Sequence, residues 1–129
     1  MKIDIWGKYN LITKSEIVAA VNQVELLLGK IGSCSVLEIY FVSDHKMAEV
    51  NKKYRGQDFT TDVLSFPQNQ IIPKGILGTI FICEEEAINR NESVVDLIKH
   101  GLLHLYGYDH SLNRHLWNKV AEKIYHKMN

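Results

Sequence analysis

Cysteine is scarce in this sequence. Cys34 and Cys83 stand far apart, form no CxxC pair and fit no paired-ligand pattern, which excludes a disulfide framework and a cysteine-built zinc knuckle. Two reduced thiols in a cytoplasmic protein are the simpler reading. Excess charge of either sign is also missing: 15 Lys and Arg balance 15 Asp and Glu. No global basic field therefore draws in nucleic acid, and any such binding has to come from a local patch. Apolar runs fall far short of the roughly 20 residues of a membrane helix. The opening Met1-Lys2-Ile3-Asp4-Ile5 has no signal-peptide core. There is no internal repeat, low-complexity stretch or domain linker. What is present is an ordinary globular composition, 46% hydrophobic and 23% charged, over residues 1–129, a length that suits one domain.

Periodicity supplies the elements. Lys2 to Trp6 alternates Ile3 and Ile5 with polar neighbours and reads as a strand. Thr13-Lys14-Ser15-Glu16 is a capping box that opens a helix with Ile17, Val21, Val24 and Leu28 inward, ended by Gly29 and Gly32. Val36 to Val42 is a second strand. Ser43 caps a short helix from Asp44 to about Tyr54, with Met47 and Val50 inward. Val63 to Phe66 is a strand closed by Pro67, residues 68–75 form a loop, and Leu77 to Cys83 is the next strand. Glu84, Glu85 and Glu86 suit the first turn of a following helix better than a metal site. Ser93 caps a helix whose Val94, Leu97, Ile98, Leu102 and Leu105 face the core. Ser111 caps a last helix to about Lys127, with Leu116, Val120 and Ile124 at helical spacing; His115 and Trp117 read as surface and packing residues.

Half of the six histidines fall in one run, His100-Gly101-Leu102-Leu103-His104-Leu105-Tyr106-Gly107-Tyr108-Asp109-His110. Positions four apart on a helix differ by about 40° around the axis, so His100 and His104 reach one point. Gly107 suits the left-handed conformation that ends a helix, after which the chain turns back to bring in His110. Three imidazoles leave a tetrahedral ion one open position, the mark of a catalytic site. The spacing follows the H-E-x-x-H-x-x-G-x-x-H pattern of metzincin proteases, but Gly101 replaces the glutamate that serves them as general base. Peptide hydrolysis by that route is disfavoured, while activation of water and polarisation of a phosphoryl oxygen remain open. A glycine at 101 is also expected to leave room beside the ion for a bulky substrate.

A second cluster lies in Asn51-Lys52-Lys53-Tyr54-Arg55-Gly56-Gln57-Asp58-Phe59-Thr60-Thr61-Asp62-Val63-Leu64-Ser65-Phe66-Pro67. Lys52, Lys53 and Arg55 with Tyr54 suit phosphate and a stacked base, Arg55 best because a guanidinium holds phosphate bidentately. Composition alone favours a plainer reading, a solvated helix end whose cations complement the dipole. Thr61, Asp62 and Ser65 are weaker candidates for lining a cleft.

The two stretches together, residues 51–67 and 97–110, resemble the YbeY family of bacterial endoribonucleases, also called rRNA maturation factors. The resemblance implies an α+β fold, one domain with a small, mostly parallel or mixed sheet packed by helices and a zincin-like metal helix. It implies one zinc ion, or another divalent metal, on His100, His104 and His110. It places the family's functionally important arginine on Arg55. It further implies a metal-dependent single-strand endoribonuclease that matures the 3′ end of small-subunit rRNA and serves ribosome quality control. RNA and the small ribosomal subunit or its associated proteins would be the partners, with no membrane. Water or the neighbouring ribose 2′-hydroxyl is left open as nucleophile. Another zinc hydrolase of peptidase type, and a non-enzymatic ribosome-associated factor with structural zinc, are the rival readings. Three features depart from the family pattern: Thr79 in place of an aspartate, Asp96 in place of a frequent histidine, and a tail after His110 without the usual run of glutamates.

Overall fold

The computed structural model describes residues 1–29, 36–67 and 76–108. The elements run β1 (Lys2–Trp6), α1 (Lys14–Leu28), β2 (Val36–Phe41), α2 (Asp44–Arg55), β3 (Val63–Pro67), β4 (Ile76–Ile82), α3 (Glu84–Asn89) and α4 (Val94–Leu105). One four-stranded sheet has the order β1-β2-β4-β3, with β1, β2 and β4 parallel and β3 antiparallel to β4. This is the mixed α+β architecture that the family resemblance implies. The loop at 68–75, Cys34, Gly32, His110 and the last helix expected from Ser111 lie outside the described residues.

Local chemistry accounts for the boundaries. The capping box closes at Thr13: Glu16 N donates to Thr13 Oγ1 at 3.2 Å and Thr13 N donates to Glu16 Oε1 at 3.0 Å. Ser43 and Ser93 cap α2 and α4 by accepting from Lys46 N and Asp96 N. The helix after Ser43 runs one residue further than expected, to Arg55, and stops at Gly56 in the left-handed region. The fourth strand ends one residue earlier than expected, because Cys83 stands at the N-cap of α3.

Alternation splits the sheet into two faces. Leu37, Ile39, Ile80 and Ile82 are buried with Ile17, Val21 and Val24 of α1 and Leu97, Ile98 and Leu102 of α4. Leu28, expected inside, is only half-buried in the last turn of α1, and Ala20 joins the buried stripe instead. The other face carries Trp6, Tyr40 and Phe81, which are register partners across β1, β2 and β4. Their rings stack at centroid spacings of 4.8 and 5.1 Å. Thr79 lies on this face too, and its hydroxyl donates to Glu38 Oε1 at 2.9 Å.

Two glycines let α4 sit close to the sheet. A Cβ at Gly78 would lie 2.6 Å from Phe66 O and 2.7 Å from Leu105 Cδ2. A Cβ at Gly101 would meet Ile80 side-chain carbons at 3.1 Å. The missing side chain at 101 therefore serves helix-on-sheet packing. It does not clear space beside the histidines, contrary to the sequence expectation.

Candidate functional site

α4 has one strongly buried side, and its histidines stand at the border of that side. His100 and His104 are half-buried, while Ile98, Leu102 and Leu103 are fully enclosed. Their ring centroids are 5.0 Å apart and their Nε2 atoms 3.2 Å apart. Two nitrogens each about 2.0–2.1 Å from a tetrahedral zinc stand about 3.3 Å apart. The pair thus has the spacing of two adjacent ligands of one ion. That spacing also allows a hydrogen bond between the two rings when no ion is held.

The end of α4 is fixed from both sides. Gly107 N donates to His104 O at 2.9 Å and Tyr108 N to Leu103 O at 3.1 Å, with Gly107 at φ +89°. This is the glycine turn expected from the spacing, a Schellman motif. The Tyr106 hydroxyl donates to Gly29 O at 2.7 Å and ties the end of α4 to the end of α1. Burial pushes the Tyr106 phenol up, and Glu25 adds to the shift. Among the described residues no three His, Cys, Asp or Glu side chains gather as a metal site. His110, the third ligand expected from the sequence, lies outside those residues.

Arg55 reaches the same place from α2. His100, His104, Arg55, Ser65, Pro67 and Tyr108 all line one cleft of about 410 Å³. Arg55 Nη2 donates to Ser65 O at 2.8 Å, and its Cζ lies 5.1 Å from the centre of the Phe66 ring. A guanidinium has five N–H donors. The tether consumes one, and stacking on the ring consumes none. Composition favoured a solvated helix end for this cluster. Arg55 is exposed like Lys52 and Lys53, in keeping with that reading, but its guanidinium also folds back onto β3; Lys53 Nζ lies 5.2 Å from the Tyr54 ring centre.

The weaker candidates divide. Ser65 lines the cleft, Thr61 lines a neighbouring depression, and Asp62 lines neither. The Asp62 backbone carbonyl accepts from Cys83 N at 2.9 Å, a structural role. Glu84 does more than complement a helix start: its carboxylate accepts from Asn10 N and Leu11 N at 2.8 and 2.7 Å, which anchors the β1–α1 loop.

Sequence reasoning passed over Lys99. It is fully buried beside His100 and donates to Gln23 Oε1 at 3.2 Å. Burial lowers its pKa, and Asp96 works in the opposite direction. The signal was available, because position 99 shares a helix face with Val95, Leu102 and Leu103. Thr79 and Asp96, two departures from the family pattern, lie away from the cleft. Thr79 is on the opposite sheet face, and Asp96 is exposed in the first turn of α4.

Comparison with known proteins identifies the family. Residues 8–129 match the family model described as Endoribonuclease YbeY. A protein of that name from Leptospira biflexa is 44% identical over 88 residues, covering 60% of this chain and 57% of the relative. The chain thus spans less than two-thirds of that relative's length. The namesake from Helicobacter pylori is 41% identical over 101 residues, covering 69% of this chain and 71% of the relative. That from Thermotoga neapolitana is 33% identical over 111 residues, covering 80% and 68%. Among solved structures, the solution structure of TM1509 from Thermotoga maritima aligns with a TM-score of 0.57 at 26% identity, over 98% of this chain and 91% of that one.

Proposed function

The chain belongs to the endoribonuclease YbeY family, and from that premise we propose that it is a metal-dependent endoribonuclease acting on single-stranded RNA. The cellular substrate in this reading is the 3′ end of small-subunit rRNA, met in the cytoplasm on the small ribosomal subunit or with its associated proteins, with a part in ribosome quality control. The observation that carries the proposal is the convergence, in one cleft, of two imidazole nitrogens 3.2 Å apart and a tethered arginine.

His100, His104 and His110 would hold zinc or another divalent ion. When bound, such an ion supplies Lewis acidity at the scissile phosphate and lowers the pKa of the attacking hydroxyl. The remaining work belongs to side chains. Arg55 is held at a fixed position by the Ser65 carbonyl and the Phe66 ring, so little reorganisation is needed when charge builds on the phosphoryl oxygens. Its remaining N–H donors bind those oxygens. Gly101 offers no carboxylate, and a side chain there would meet Ile80, so nothing at that position replaces the general base of a peptidase.

RNA cleavage by wild type, Arg55→Ala and His104→Ala proteins, with a chelator control and a check for contaminating nucleases, tests the reading. Arg55→Ala should lose most activity while bound zinc, measured per chain, stays unchanged. His104→Ala should lose both. Normal cleavage by Arg55→Ala, or full zinc retention by His104→Ala, would sink it.

A further inference from the structure

Beside the histidine cleft lies a second depression of about 420 Å³, lined by Asn51, Arg55, Gln57, Phe59, Thr61 and Leu64. It shares Arg55 and Leu64 with the first, so the two hollows adjoin along these residues. The α2–β3 loop forms its rim and is pinned at several points. Asn51, only 3% exposed, donates from Nδ2 to Phe59 O at 2.8 Å. Arg90 Nη2 donates to Thr60 O at 3.3 Å, and Asp62 O accepts from Cys83 N.

A loop held this firmly still leaves Phe59 57% exposed. That ring contributes little to folding, because apolar stabilisation requires removal from water. Its anchored backbone, however, has little freedom left to lose when something covers the ring. An open aromatic face, the exposed Gln57 carboxamide and a cationic edge together suit an unpaired nucleobase: the face stacks, and the Gln57 amide meets the base edge. Charge argues against an apolar peptide. The depression's own lining holds no carboxylate, Asp62 touching it only as acceptor from the Thr61 hydroxyl at 3.3 Å, and exposed Lys52 and Lys53 stand on the same helix end as Arg55.

We infer that this depression is a nucleobase subsite, which stacks on Phe59 the base of the nucleotide adjoining the phosphate engaged in the histidine cleft. The inference rests on the RNA-cleaving reading above and extends it to the path of the strand.

The test is equilibrium binding of a short 2′-O-methyl RNA, checked to be intact after each titration, to the wild-type protein, Phe59→Ala and Phe59→Tyr. A parallel series of the same oligonucleotide lacks one base at each successive position. Phe59→Ala should bind the intact strand about tenfold more weakly, and Phe59→Tyr should stay within about twofold of wild type. One abasic position should weaken wild type by a similar factor and leave Phe59→Ala unaffected. Because Phe59 is exposed, unchanged thermal unfolding of both variants serves as the folding control. Undiminished binding by Phe59→Ala, or an equal loss on intact and abasic strands, overturns the subsite and leaves the cleavage reading standing. A wild-type protein that neither binds this strand nor cuts its ribose counterpart removes the cleavage reading and the subsite with it.

Discussion

Gly78→Ala is the sharpest test of how the cleft is held. In a strand interior alanine ordinarily gains roughly 0.5–1 kcal/mol over glycine, through lower chain entropy in the unfolded state. At position 78 the added methyl would sit 2.6 Å from Phe66 O and 2.7 Å from Leu105 Cδ2. The Leu105 side chain has some freedom to turn. The carbonyl has none, because it belongs to the β3 backbone opposite β4 in the ladder. β3 or β4 must therefore move by more than about half an ångström to restore ordinary contact. Overpacking of this kind costs about 1–3 kcal/mol. Set against the intrinsic gain, the net loss is up to about 2.5 kcal/mol, a fall of up to roughly 12 °C in unfolding temperature for a domain of this size. The displaced elements also hold the site: β3 carries the carbonyl that grips Arg55, and Leu105 follows His104. RNA cleavage, assayed well below the unfolding transition, should fall as well. Circular dichroism melts of both proteins give the first number. A variant that melts at or above wild type would refute the packing argument.

Restoring the protease pattern with Gly101→Glu should not create a peptidase; its Cβ would press on Ile80 at 3.1 Å and a charged chain would start from a buried backbone position, costing about 3 kcal/mol or more, read as a lower melting temperature and no peptide hydrolysis. Restoring the family aspartate with Thr79→Asp replaces a hydroxyl donor to Glu38 with a like charge, a loss of about 1 kcal/mol at neutral pH that should shrink in melts near pH 4, where carboxylates protonate. Burial raises the Cys83 pKa above its ordinary 9.0. The folded thiol then holds its proton where the unfolded one has lost it, so stability should decline as pH rises from about 9 towards the folded value. Peptide-resolved alkylation at pH 8 should leave Cys83 unmodified until denaturant is added; rapid native labelling would contradict its burial.

Much of this was legible in the chain because it is local. Thr13, Ser43 and Ser93 cap helices through atoms within three residues, and Gly107 turns the end of α4 through bonds to its own last carbonyls. The approach of His100 to His104 follows from helical spacing alone. What escaped depends on distant partners. Gly101 looked like clearance for substrate until β4 put Ile80 against it. Arg55 stood out as the best phosphate candidate, but nothing in its neighbours announces its tether to the Ser65 carbonyl ten residues on. Glu84 serves a loop from the far end of the chain, and charged Lys99 sits where an apolar residue would be expected.

The grip on Arg55 has an evolutionary corollary. Its acceptor is a main-chain oxygen, so no exchange of the residue at 65 deletes it. Drift at that position can alter the cleft wall while the arginine stays where it is. Mutational scanning should therefore find position 65 permissive towards small residues and position 55 intolerant even of lysine, although the two are bonded to each other.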